Sequence, residues 1–333
     1  MELHKNIDIS IVMAYHNRKD QTLITLKSIS SSEIKNFEVI IIDDGSDEEH
    51  DIKSYIKEFN FKIKLVKINK KEKQWLNPCV PYNIGLKMAS GKIIIIQNPE
   101  VCHVGDIMKY VYNNIKNGTY LTFSVYSSPS FDHNKIFESI DKNNLNEVHT
   151  NFIDKINYEN YKFDYEYYKN KYNDISNLEY NAAHEHWINK GNIENRLCNK
   201  SGIYYPEAYI KWKGWYNHPV YNNRSLHFLS AITKNDLTKI GGFNINLKDG
   251  LWYDDDDLLY RIKKICNVHN VDTRLCFGIH LYHTNGSINH ITKKMRKMII
   301  KNKYIYKRIQ ESNTIYVDTG CIEEYKKYGF YEN

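Results

Sequence analysis

An α/β fold, with a mostly parallel central sheet flanked by helices and a small helical insertion, is the class predicted for this 333-residue chain. Two observations carry the prediction. Strand-like and helix-like segments alternate through the N-terminal third, as they do where helices cover both faces of a parallel sheet. Several strand candidates are also continuous apolar runs rather than alternating ones, Ile40–Ile42 and Ile93–Ile96 foremost. Such runs suit strands buried on both sides.

The elements follow in order. DISIVMAYHN (residues 8–17) reads as a strand running into a polar loop. DQTLITLKSISSSE (20–33) spaces Leu23, Leu26 and Ile29 along one helical face. FEVIIIDDGS (37–46) is a second buried strand, closing in two aspartates and a turn. DIKSYIKEF (51–59) has helical spacing, and FKIKLVKIN (61–69) alternates like a strand. VPYNIGLKMASG (80–91) is read as a helix ending near Gly91, a common C-terminal signal. KIIIIQ (92–97) is the next strand, and RLCFGIHLYH (274–283) a late one. Residues 151–200 break this rhythm: they are rich in Tyr, Asn and charge, with helical spacing and little strand signal. They are read as a helical insertion in a single domain spanning 1–333, which closes in a basic helical tail over 291–333.

Composition narrows the function classes. The net charge of +6 is spread among many acids, so it predicts mild attraction to anionic ligands rather than a nucleic-acid footprint. Six scattered cysteines without a CxxC pair fit reduced thiols. The N-terminus lacks a basic-then-apolar leader pattern, and no apolar run approaches the roughly 18 residues of a membrane span. A cytoplasmic protein is therefore expected. The basic run TKKMRKMIIKNKYIYKR (292–308) reads first as a solvated helix face, with peripheral contact to an anionic membrane or polymer as the second reading.

Asp43 and Asp44 end a strand and precede Gly45 and Ser46. A polar turn would explain them, and so would hydrogen bonds to a base N–H or a ribose hydroxyl. No GxGxxG follows the first strand and no GxxxxGK[ST] loop is present, which counts against dehydrogenases and P-loop NTPases. SIVMAYHNR followed by FEVIIIDDGSDE resembles the opening of a family 2 glycosyltransferase of the GT-A fold, in its bacterial and giant-virus polysaccharide-building branches. The resemblance implies a donor site for a nucleotide-diphosphate sugar, a UDP-sugar foremost, formed by Ala14, Tyr15, Asn17 and Arg18 with Asp43 and Asp44. YNIGLKMASG resembles the family's Asn-x-Gly…Ala-x-Gly segment and adds Asn83 to the donor side.

The same resemblance gives the strand end Asn98-Pro99-Glu100 the slot of the family's Asp-x-Asp metal motif. Glu100 supplies the hard oxygen that Mn2+ or Mg2+ takes, while Asn98 has lost the charge and is assigned to the sugar or ribose. GT-A enzymes often add a histidine ligand from a late strand. His283, at the strand end, is the preferred ligand and His280 the second choice; three apart on a strand, they face opposite sides. GGF (241–243) followed by YDDDDLLYRI (253–262) is similar to the family's Gly-Gly-Phe…Glu-Asp-x-Asp-Leu-x-x-Arg block. That puts Asp254 and Asp255 at the catalytic centre, Asp255 as general base of an inverting reaction, and Asp257 on the acceptor side. Adjacent like charges raise one another's pKa, which independently suits a proton acceptor. An acidic helix N-terminus with an Asp257–Arg261 pair at i,i+4 would give the same pattern without catalysis.

WYNHPVYNNRSLHF (215–228) concentrates Trp215, Tyr216, Asn217, His218, Arg224 and His227. The first four are assigned to the acceptor, a glycan or glycoprotein; a Tyr-rich chain also produces such clusters by chance. His184 and His186 in the insertion are read as structural, since HExxH is absent. The residues leave other classes open. A catalytically decayed carbohydrate-binding or scaffold protein is the main alternative, motivated by the missing acid at Asn98. A nucleotidyltransferase is the third reading.

Overall fold

The computed structural model of the chain describes residues 7–284, 292–320 and 328–333. Parts of the expected tail, at 291 and 321–327, and the turn expected after His283 lie outside the described residues.

The large sheet is built from strands β1 (Ile9–Tyr15), β2 (Phe37–Asp44), β3 (Lys62–Ile68) and β4 (Ile93–Gln97), which run parallel in the order β3-β2-β1-β4. Between them lie helices α1 (Lys19–Ser30) and α2 (Cys79–Met88). Two short strands, β5 (Val101–Val104) and β7 (Val125–Ser127), belong to a second sheet, and β6 (Thr119–Phe123) returns to the first. Strands β8 (Trp215–Tyr216), β9 (Leu229–Thr233), β10 (Asn267–Val271), β11 (Phe277–His280) and β12 (Gly329–Glu332) complete the set. The full orders are β10-β6-β9-β4-β1-β2-β3-β12 and β5-β11-β7-β8. This is the helix-flanked α/β architecture that the alternating pattern predicts.

The apolar runs explain the layering. Side chains alternate across a strand, so Ile93 and Ile95 enter one core with Ile11, Met13 and Leu26, while Ile94 and Ile96 enter the other with Val12, Ile84 and Leu258. Each fully buried isoleucine contributes about 1.5–3 kcal/mol. All four parallel strands then end at one edge, the usual place for a ligand in an open α/β sheet. Strand β9 pairs antiparallel to β4 with Leu229 opposite Gln97, so the chain just before β9 reaches that edge as well.

Two elements differ from the sequence reading. The helix expected over residues 51–59 is only a single 3-10 turn, Ile56–Glu58. Ile52 and Ile56 are buried as helical spacing predicts, and the Tyr55 and Ile56 N–H groups both donate to the Ile52 carbonyl, but the helical pattern goes no further than these turns. Helix α2 stops at Met88, before Gly91. Gly91 is required for close approach instead: a Cβ there would lie 2.6 Å from the Ser10 nitrogen of β1.

Residues 131–211 are helical: α3 (Ile107–Asn114) precedes them, and α4 (Phe131–Ser139), α5 (Leu145–Asn151), α6 (Tyr165–Lys171), α7 (Tyr180–His186) and α8 (Glu207–Lys211) lie within. Part of this region has its own small core of Phe163, Tyr168, Ile175, Ala183, Trp187 and Cys198. His184 stacks on Phe163 and His186 meets the Tyr168 hydroxyl at 3.1 Å, so both serve this packing. Helices α9 (Lys234–Ile240), α10 (Asp254–Ile262) and α11 (Lys293–Glu311) follow. No described helix is long and apolar enough to cross a membrane.

Candidate active site

The ends of β1 and β2 form the first part of the site. Asn17 adopts a left-handed backbone (φ 52°) and binds both sides of the Asp47 position, its Nδ2 donating to Asp47 Oδ2 at 2.8 Å and its Oδ1 accepting the Asp47 N–H at 2.8 Å. This ties the loop after β1 to the Asp-Asp-Gly-Ser turn. Asp43 accepts the Ser46 N–H at 2.9 Å. Asp44 accepts from Lys73 Nζ at 2.6 Å and from Trp75 Nε1 at 2.8 Å. Burial raises both carboxyls, against these hydrogen bonds. Lys73 and Trp75 lie in KEKQW, a loop segment that carries no sequence motif. Ala14 is half-buried at the end of β1. Tyr15 corrects the donor assignment: it is fully buried, and its hydroxyl donates to the His50 carbonyl at 2.5 Å.

Strand β4 delivers the second part. The antiparallel register of β5 and β11 puts His280 opposite Val101, beside Glu100, and the Leu281 N–H donates to the Glu100 carbonyl at 2.9 Å. His280 Nε2 lies 3.2 Å, and His283 Nε2 3.6 Å, from Glu100 Oε1. The two histidines were expected on opposite faces, with His283 preferred. They converge because β11 ends at His280 and the chain then turns: Asn134 binds the Tyr282 backbone in both directions at 2.8 Å, and Gln21 donates to the same carbonyl at 3.0 Å. Burial alone would raise the Glu100 carboxyl, but hydrogen bonds from His280 and His283 hold it well below the usual carboxylate range. Burial lowers His283.

One carboxylate oxygen and two imidazole nitrogens within 4.8 Å of one another are a chemically coherent donor set for a divalent cation. The mixture of imidazole and carboxylate fits Mn2+ better than Mg2+, which prefers oxygens. Arg18 is near enough for its charge to act on His283, and its Nε is buried without a hydrogen-bond partner among the described residues. Asn98 accepts from the Tyr82 hydroxyl at 3.1 Å, and Tyr216 approaches His280 with ring centroids 6.2 Å apart.

The third part is the N-terminus of α10. Trp252 and Tyr253 precede it with φ of 64° and 66°, unusual for bulky residues. From α11, the buried Asn302 donates to the Trp252 and Leu247 carbonyls, both at 3.0 Å, and pins this turn. The four acids then separate in role. Asp254 is buried and accepts from Asn77 Nδ2 at 2.9 Å; burial, and then the Asp255 charge, push it up to about 6. Asp255 contacts His227, and its side chain is 26% exposed. Burial would raise Asp255, but His227 holds it low. The raised acid is thus Asp254 rather than Asp255. Asp256 pairs at the surface with Arg224 at 2.9 Å.

Several expected contacts are internal instead. Asp257 is fully buried and binds Arg261 Nε and Nη2 at 2.8 and 2.6 Å, so it braces α10 and is closed to an acceptor. Asn83 is buried, with Nδ2 donating to the Phe243 carbonyl and Oδ1 accepting its N–H, both at 2.8 Å; it locks the Gly-Gly-Phe turn rather than facing a donor. Asn217 is buried and makes a similar two-way clamp on Leu226 at 2.8 and 3.0 Å. Trp215 and His218 line a separate cavity of about 870 Å³ between the small sheet and the helical region, with Tyr221, while Tyr216 faces the Glu100 side. The acceptor cluster read from the sequence is therefore split. Strand alternation explains Trp215 against Tyr216, but their two-residue strand is too short to show it.

Comparisons with known proteins bear on this arrangement. A family model described as glycosyl transferase family 2 matches residues 10–178. The chain belongs to this family. The match covers the strands ending in Tyr15, Asp44 and Gln97, and stops before α10. An uncharacterized glycosyltransferase of Rickettsia bellii (strain RML369-C) is 33% identical over 93 residues, 28% of this chain and 13% of that protein. Among solved structures, S. aureus TarS covers 83% of this chain and 37% of its own at 12% identity, with a TM-score of 0.45. The mannosyltransferase PcManGT from Pyrobaculum calidifontis, in complex with GDP-Man and Mn2+, covers 90% of this chain and 64% of its own at 11% identity, with a TM-score of 0.42. This chain thus spans only part of the length of each.

Proposed function

We propose that this family 2 chain transfers a sugar from a nucleotide-diphosphate donor, a UDP-sugar foremost, to an acceptor hydroxyl with inversion, assisted by Mn2+ or Mg2+. The observation that carries the reading is the convergence of Glu100, His280 and His283 at the sheet edge where Asp43, Asp44 and Asp255 also arrive. Asp43, Asp44 and Trp75 would hold the nucleoside, with Asn98 toward the sugar. Arg18 would meet the diphosphate with its unpaired Nε. Glu100, His283 and His280 would hold the metal, whose chemistry is to neutralise charge on the leaving diphosphate. Asp255, the acid that keeps an open side and no cationic surface partner, would take the proton from the acceptor hydroxyl. That oxygen then bonds to the anomeric carbon as the bond to the diphosphate breaks.

The acceptor is read as a glycan or glycoprotein, approaching past Tyr216. The outer face of α11 exposes Lys293, Lys294, Lys297, Lys303 and Arg308, which supports peripheral contact with an anionic membrane. Titration calorimetry with UDP, with and without Mn2+, tests the reading. The expected result is metal-dependent binding that disappears in Glu100→Ala. Absence of any nucleotide binding would instead favour the decayed, carbohydrate-binding alternative. Released pyrophosphate in place of nucleoside diphosphate would favour a nucleotidyltransferase.

A further inference from the structure

We propose that His227 is the positioning residue of the base: its imidazole, walled in by aromatic rings, fixes the Asp255 carboxylate toward the acceptor. This rests on the reading of Asp255 as the proton acceptor. His227 is 5% exposed and immediately precedes the segment that enters β9. Its ring meets Tyr82 edge-on at 4.8 Å and Phe243 edge-on at 4.9 Å, and those two rings stack on each other at 4.9 Å. The box therefore fixes the plane of the imidazole. Its nitrogen Nδ1 points at Asp255 Oδ1.

Among the described residues, the neighbours leave this pairing without a competitor. The charged groups that act on His227 are Asp255 and Asp254, both from α10. Asp254 is itself held by Asn77, and Arg224, which acts on Asp255, is bound to Asp256 at the surface. Tyr82, from α2, gives its hydroxyl to Asn98. Burying a histidine among aromatic rings is unfavourable unless it is paired. Here the pair has one member with an outlet to solvent. The backbone also joins the two halves of the site: the Asn98 N–H donates to the Phe228 carbonyl at 3.1 Å, so the residue next to His227 is tied to the strand end that carries Glu100. Displacing His227 would move the base relative to the donor as well as strip its partner. During transfer the imidazole keeps its proton. Asp255 gains the proton that the acceptor oxygen loses, and the electron pair of the broken bond leaves with the diphosphate.

The test uses the full chain carrying His227→Gln, His227→Ala and His227→Phe, with kcat, KM, the pH profile of kcat/KM and UDP binding measured for each. All three variants should lose roughly 10–100-fold in kcat while keeping donor KM and UDP affinity within about twofold. The acid limb of the profile should move to higher pH, because Asp255 without its partner holds its proton more tightly. Imidazole added to His227→Ala should restore part of the rate. His227→Phe fills the aromatic box without pairing; if it turns over at the wild-type rate, packing alone is what His227 provides and the proposal is overturned. An unshifted pH profile, or loss of UDP binding in step with activity, overturns it too. Failure of the underlying reading shows differently, as wild-type turnover by Asp255→Asn.

Discussion

Two groups of acid and histidine stand at one edge of the same sheet, and they solve opposite problems. At Glu100 a single carboxylate faces two imidazoles. At α10 two carboxylates share one imidazole, His227. In the first group hydrogen bonds from the histidines hold the buried acid well below the usual carboxylate range, against the effect of burial. In the second, the shared histidine holds Asp255 low, while burial and then the Asp255 charge push Asp254 up to about 6. Both groups bring three potential ligand atoms together, so the proposed division into a ligand set and a proton-transfer pair rests on the different ratio of acids to histidines.

The largest effect should come from Asp255→Asn, which is expected to lower kcat by about 10²–10⁴-fold while leaving Mn2+-dependent UDP binding intact. If UDP binding loses its metal dependence instead, the α10 group is the metal site and the comparison inverts. Asp257→Ala should act through stability alone. Leaving Arg261 buried without its partner costs about 3–5 kcal/mol, which a denaturant midpoint would read, and the shift should appear equally with and without nucleotide.

His103 supplies the contrasting case of a buried histidine without an acid in contact. It meets Gln97 Oε1 at 2.9 Å, and burial pushes it from 6.5 down to about 4. The unfolded chain therefore binds a proton first as pH falls. The associated stability is present above pH 6.5 and is lost between 6.5 and about 4, by about 3 kcal/mol. His103→Gln should flatten that part of the stability profile. For Glu100→Ala the expected outcome is loss of the Mn2+-dependent part of UDP binding, measured by calorimetry with and without the metal, with kcat lost alongside. A variant that keeps the Mn2+-dependent part would show that the two histidines and Glu100 pair only with one another.

Much of this was legible in the linear chain. The runs Ile40–Ile42 and Ile93–Ile96 announce double-sided burial, with Asp43, Asp44 and Glu100 close behind them, and Asp255 stands in the acidic run after Gly-Gly-Phe. The failures share a cause. Asn83, Asn217 and Asp257 are polar residues within motif-like segments, yet each has its partner supplied by the fold: Phe243, Leu226 and Arg261. A polar residue satisfied inside the protein and one held ready for a ligand look alike in sequence. Tyr15 differs only in that its hydroxyl finds a carbonyl 35 positions away. Lys73 and Trp75 carried no signal because the loop around them has no periodicity to place it beside Asp44.

The sequence by itself determined the layered α/β sheet and the identity of the acids at its edge. Hydrophobic periodicity is a local property, repeated within a few residues, and it decides which face is buried wherever the chain later goes. Tertiary structure alone decided which acid meets two histidines, which is braced and which stays open. That choice depends on partners far apart in the chain: His280 and His283 reach Glu100 through the register of β11 on β5, and His227 reaches Asp255 through the pairing of β9 with β4. Desolvation and charge pairing then set the proton affinity of each group, and both are properties of an assembled interior.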